Sequence, residues 1–214
     1  MRSHQLGRLG ATVTFAAVLL FALFMFIPGK TLSVPLSSAA SLFISLGYLC
    51  MMCALAALAD KELKGCAYAA AAVAAIYATL ICLVYFTQIT TVWQKAAPEA
   101  ILAPLTYKPG TWMFNIDMLG YAMLGLSTAF AGLSLKPQGK QDLWLRRLLV
   151  IHGVFFPVCL LMPVLGVFTN QADTAAGDLM GILVLEFWCL YFLPVAWLFG
   201  GYMKRLGGMK DARV

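Results

Sequence analysis

The sequence predicts an all-α, polytopic membrane protein: a six-transmembrane-helix bundle with both termini cytoplasmic. Three observations predict it. Of 214 residues, 62% are apolar and only 11% charged, whereas soluble domains carry about 25% charged residues. The mean hydropathy is +0.87, and a soluble globule of this length buries too little of its surface to hide so many apolar side chains. The apolar residues fall into six long runs, with the basic residues gathered in alternate connections between them. A soluble enzyme, a disordered tail and a disulfide-rich secreted module are excluded.

A spanning helix needs about 20 mostly apolar residues, because the hydrocarbon core is about 30 Å thick and each residue rises about 1.5 Å. The first span covers residues 9–27 and stops at Pro28-Gly29-Lys30. No small-x-small cleavage pattern follows, so it reads as a retained helix and not a signal peptide. The second span covers 38–59 and ends in the charged turn Asp60-Lys61-Glu62-Leu63-Lys64. The third covers 66–90 and the fourth 112–135. The fifth, 148–169, contains Pro157 and Pro163, and the sixth, 178–203, contains Pro194. Neighbouring helices can satisfy the carbonyls that a proline frees, so both are expected to be kinked and unbroken. Residues 1–214 form one transmembrane domain.

Charge sets the expected orientation. With the N-terminus inside, twelve of the fifteen Lys and Arg residues are inside, and Lys30, Lys95 and Lys108 are outside. This is the bias of the positive-inside rule. The net charge of +6 follows from the same pattern, since basic residues at the inner boundary meet anionic lipid headgroups. Nucleic-acid binding would need them on one soluble face, and is not expected. The expected location is a cell membrane, the bacterial inner membrane.

Four connections are short. The fifth, the outer stretch 91–111, carries Trp93, Glu99, Tyr107 and three prolines among apolar residues. Loops of this length are uncommon and often functional. It reads either as a cap over the bundle or as a plain interfacial connector. The glycines Gly47, Gly120 and Gly181 lie in similar surroundings in the second, fourth and sixth spans, a faint echo of three duplicated hairpins. Cys50 and Cys53 match a CxxC redox pattern, but mid-helix thiols are protonated and inert, so all six cysteines read as packing residues. His4 and His152 have no ligand partners at metal spacing. Neither a metal nor a cofactor is expected. His152 lies five residues above Arg147, about 7.5 Å, and reads as interfacial, roughly 20 Å in depth from Glu186.

Acids inside the hydrocarbon region are the most informative residues, since each costs about 2.5–3.5 kcal/mol at mid-bilayer. Glu186 lies 18 residues above Lys204, about 27 Å, inside the outer half of the core. Asp117 and Gln88 fall at the outer rim, with Asn115, Asn170, Asp173 and Asp178 at that level. The expected site is an outward-facing acidic pocket with Glu186 as floor and Asp117, Asn115, Gln88 and Asp178 around it. Tyr85, Trp188 and Tyr191 would add aromatic faces for a cationic group. The alternative for Asp178 is a helix N-terminus that favours carboxylates, and for Asn115 and Asp117 it is contact with headgroups. No nucleophile or phosphate-loop motif is present.

The stretch Asn115-Ile116-Asp117-Met118-Leu119-Gly120-Tyr121 resembles a feature of small six-span bacterial membrane proteins, an Asp-x-Leu-Gly-Tyr start to the fourth helix. A polar end to the third, here Thr87-Gln88-Ile89-Thr90, accompanies it. The resemblance covers about the central third of the chain and implies topology, not activity. The leading expectation is a protein that binds or transports a small cationic or amphiphilic ligand. The alternatives are an intramembrane enzyme acting on lipid, with Asp117 and Glu186 as paired carboxyls, and a non-catalytic subunit working in an oligomer or with a partner membrane subunit.

Overall fold

The computed structural model describes residues 1–28, 30–168 and 175–211, with side chains described throughout except at 30, 31, 175–178, 180 and 209–211. In chain order the helices are α1 (Ser3–Met25), α2 (Lys30–Leu58), α3 (Lys64–Thr87), the short α4 (Glu99–Leu105), α5 (Trp112–Ser134), α6 (Lys140–His152), α7 (Phe155–Val164) and α8 (Ala175–Asp211). Among the described residues there is no strand. Six stretches are long and apolar enough to cross a membrane: Ser3–Met25, Leu32–Leu58, Lys61–Val92, Trp112–Ser134, Lys140–Val164 and Gly181–Gly208.

The fifth stretch departs from expectation twice. It begins at Lys140 and not at 148, because Asp142, Leu145, Leu149 and His152 form a buried stripe on α6 while Arg146 and Arg147 point outward. It is also broken, not kinked. Pro157, in the first turn of α7, has no N–H for the Gly153 carbonyl. The chain steps across with tighter bonds, from the Gly153 N–H to Val150 O (3.0 Å), Val154 N–H to Ile151 O (3.1 Å) and Phe156 N–H to Gly153 O (3.0 Å). The Pro194 helix, in contrast, continues as a single helix.

The helices form a ring. α1 lies against α2 and α8, α2 against α3, α3 against α5, and α5 against α6 and α7. Glycines make the closest crossings. A Cβ on Gly10 would fall 2.6 Å from the Gly47 carbonyl oxygen, and one on Gly125 2.6 Å from the Phe156 nitrogen. Small residues of this kind let helices touch backbone to backbone, where lipid tails supply no hydrophobic drive for association. The glycine echo does not carry over to packing. Gly47 meets Thr14 and Gly120 meets Ile81, but Gly181 faces open space.

The ring closes between α6 and α8 through hydrogen bonds. Trp188 Nε1 donates to His152 Nε2 (3.1 Å), the Tyr191 hydroxyl to Leu148 O (2.7 Å), and Arg205 to Gln141 Oε1 (3.0 Å) and the buried Asp142 carboxylate. At the same end Lys136 pairs with Asp60 at 3.1 Å, and Gly207 sits against the His4 ring. The N-terminus of α1, the α2–α3 and α5–α6 turns and the last turns of α8 therefore share one end of the bundle.

Candidate functional site

The opposite end carries the most elaborate polar cluster. Tyr77, Ile81, Tyr85 and Gln88 follow one another at helical spacing along the buried face of α3. At Gln88–Val92 the helix widens into one π-helical turn, a distortion frequent at functional sites. Gln88 itself is 2% exposed. Its Nε2 donates to the Leu105 carbonyl (2.8 Å), and its Oε1 accepts the Tyr107 N–H (2.9 Å). One side chain thus ties down the segment after α4, while Leu102 of α4 is buried beneath the loop. Thr111 then caps α5, its hydroxyl oxygen accepting the Phe114 N–H (3.4 Å).

Pinned in this way, Tyr107 reaches inward. Its hydroxyl donates to Asp117 Oδ2 at 2.9 Å, and its ring stacks on Tyr85 (6.0 Å between centroids, 28°) and tilts against Phe114 (5.6 Å). Burial, and then the Asp117 carboxylate, push the Tyr107 pKa well above the usual phenol range, so the hydroxyl stays a donor. Asp117 is 1% exposed. Tyr77, Tyr85 and Tyr121 also lie within electrostatic reach of its carboxyl. Tyr85 is close to the carboxyl, yet Oδ1 is buried without a hydrogen-bond partner. The arrangement is one acid walled by four phenol rings.

A second cluster lies on the other side of Tyr121, whose ring meets Trp188 edge-on at 5.6 Å. Trp188 donates to His152 Nε2 (3.1 Å), and Thr128 Oγ1 lies 3.0 Å from His152 Nδ1. The Thr128 hydroxyl spends its hydrogen on the Gly125 carbonyl (2.8 Å), so Nδ1 must be the donor. His152 is therefore the neutral Nδ1–H tautomer, with both nitrogens committed. At 1% exposed it is a core residue of the bundle, not one turned outward beside Arg146 and Arg147. Those two arginines lie within the apolar stretch Lys140–Val164 and do not mark its start. Trp188 is only two residues from Glu186, so the expected 20 Å separation in depth does not hold either.

The expected site residues divide between these surroundings. Asp117, Gln88 and Tyr85 come together. Trp188 and Tyr191 serve His152 and the α6 backbone. Asn115 is exposed on α5. Asn170, Asp173 and the side chain of Asp178 lie outside the described residues. Glu186 is half-buried on α8, its Oε1 buried without a partner, and no hydrogen bond or ion pair joins it to Asp117, Gln88 or Tyr107. Sequence reasoning passed over Tyr77, Tyr107 and Tyr121 as site residues. Tyr121, one helical turn after Asp117, and Tyr77, eight residues before Tyr85, carried a signal in their spacing; Tyr107 carried none beyond its place in the long loop. Comparison with protein-family models, curated proteins and solved structures finds no match to this chain.

Proposed function

We propose that this chain is a multi-pass protein of a cell membrane, the bacterial inner membrane, with both termini cytoplasmic. Its site at the outer end binds, and in a transport cycle passes on, a small cationic or amphiphilic ligand at Asp117. The observation that carries the reading is Asp117 Oδ1, a buried carboxyl oxygen left without a partner among four phenol rings. Among the described residues no basic side chain is bonded to this carboxyl. A carboxylate with aromatic faces around it matches the chemistry of an ammonium group. Entry requires Tyr107 to swing away, and Gln88 holds the loop that carries it. The orientation is supported by the twelve-to-three bias of basic residues and by the gathering of the basic-rich turns at one end.

The paired-carboxyl enzyme is less well supported, because Asp117 is bonded to a phenol and not to Glu186. The test is thermal unfolding of the full chain in detergent, titrated with alkylammonium ions from methyl to hexyl and with sodium. At least one ammonium ion is expected to raise Tm in a saturable way, and Asp117→Asn is expected to abolish the rise. A flat wild-type response to the whole series, or an unchanged response in Asp117→Asn, overturns the reading.

A further inference from the structure

Two adjoining hollows lie at the end of the bundle that bears the start of α1 and the last turns of α8, away from Asp117. One is a groove of about 370 Å³ on the outer face of α5 and α6, lined by Leu133, Leu143, Val150 and Ile151 with Arg146 and Arg147. The other is a cleft of about 190 Å³ among the α2–α3 and α5–α6 turns, where Asp60, Glu62, Lys136 and Arg146 meet. Leu133 and Arg146 line both, so the apolar groove runs into the charged cleft.

We infer that this composite site holds a phospholipid whose headgroup joins a phosphate to a primary ammonium. The groove is open along the side of the bundle, and Leu133, Leu143, Val150 and Ile151 are all exposed. Val150 and Ile151 lie about 6–7.5 Å along α6 from Arg146, the direction an acyl chain takes from its headgroup. The charges then select the headgroup. Asp60 and Lys136 neutralise each other at 3.1 Å. Among the described residues Glu62 and Arg146 have no ion-pair partner, although they line the same cleft. They stand apart across a space that a phosphate and an ammonium can bridge. Arg146 and Arg147 present planar donors to the phosphate, and Arg147 is held over the Trp144 ring at 5.7 Å. Glu62 accepts from the ammonium. An acidic headgroup without an amine leaves Glu62 unmatched beside its own negative charge, and a trimethylammonium has no N–H to give it.

The site needs only the six-span reading and is independent of the ligand assigned to Asp117. Native mass spectrometry of the full chain in detergent, with phosphatidylethanolamine, phosphatidylcholine and phosphatidylglycerol of identical acyl chains, tests it. Phosphatidylethanolamine is expected to be retained about fivefold more than either competitor, the scale of one exposed ion pair. Glu62→Gln is expected to bring it down to the phosphatidylcholine level, and Arg146→Gln with Arg147→Gln to reduce all three. Glu99→Gln, at the other end, is expected to change nothing. Equal retention of the three lipids, a preference for phosphatidylglycerol, or a preference that survives Glu62→Gln overturns the inference. The alkylammonium response in Glu62→Gln reports on the Asp117 site separately.

Discussion

Tyr107 and Asp117 lie ten residues apart, one in the long loop after α4 and the other a turn and a half into α5, and the phenol of the first donates to the carboxyl of the second at 2.9 Å. The bond makes the long loop part of the buried interior. Tyr107→Phe keeps the ring stack and removes the hydroxyl that donates to Asp117 Oδ2. A loss of about 1–3 kcal/mol is expected, the cost of stranding a buried acceptor. Chemical unfolding in detergent checks it, and an unchanged stability would mean the bond contributes nothing net.

Gln88 holds the loop through two backbone groups. Gln88→Ala leaves the Leu105 carbonyl and the Tyr107 N–H without partners. Hydrogen exchange across residues 99–111 is expected to speed up by about tenfold or more, equivalent to at least about 1.4 kcal/mol. Exchange in α6, at the other end of the chain's polar network, is expected to hold steady.

His152 offers a spectroscopic test. Nitrogen NMR of the ring is expected to show Nδ1 protonated and Nε2 bare across neutral pH. Trp188→Phe removes the donor to Nε2 and is expected to cost about 1–3 kcal/mol. A ring found in the Nε2–H form would contradict the hydrogen-bond directions derived from Thr128 and Trp188.

Helices α1 and α2 touch closely at Gly10 and Gly47. Gly10→Leu drives a side chain into the α2 backbone, where even a Cβ would come within 2.6 Å of the Gly47 carbonyl. Folded yield is expected to fall severely, while Gly65→Ala, whose Cβ meets nothing within 4 Å, is expected to be neutral.

Reactivity of introduced thiols separates Asn115 from Glu186 in a background without native cysteines. Asn115→Cys, exposed near the start of α5, is expected to react readily with an impermeant reagent added outside. Glu186→Cys, half-buried on a helix that exposes Leu183, Val184, Phe187 and Leu190, is expected to react slowly. Rapid labelling at 186 would restore Glu186 to a water-filled pocket.

Six apolar stretches, the α5 boundaries and the helical spacing of Tyr77, Tyr85 and Gln88 were legible in the residues alone. Each is a local property: a bilayer-length run of apolar side chains, or a period of 3.6, is written in consecutive positions. The start of the fifth span was not legible, because Arg146 and Arg147 look like a boundary unless one knows which face of α6 is turned inward. Nor was the burial of His152, which depends on Thr128 of α5 and Trp188 of α8 closing on its ring.

The sequence by itself therefore determined the six apolar stretches and the places where an acid would be costly. The tertiary structure alone decided which of those acids became the centre of a cluster. Asp117 and Glu186 both looked anomalous along the chain. Among the described residues, Asp117 and not Glu186 has a loop folded over it and phenols from α3, α5 and the loop turned towards it, because a side chain's partners come from helices far away in sequence, and composition does not encode their rotation about their own axes.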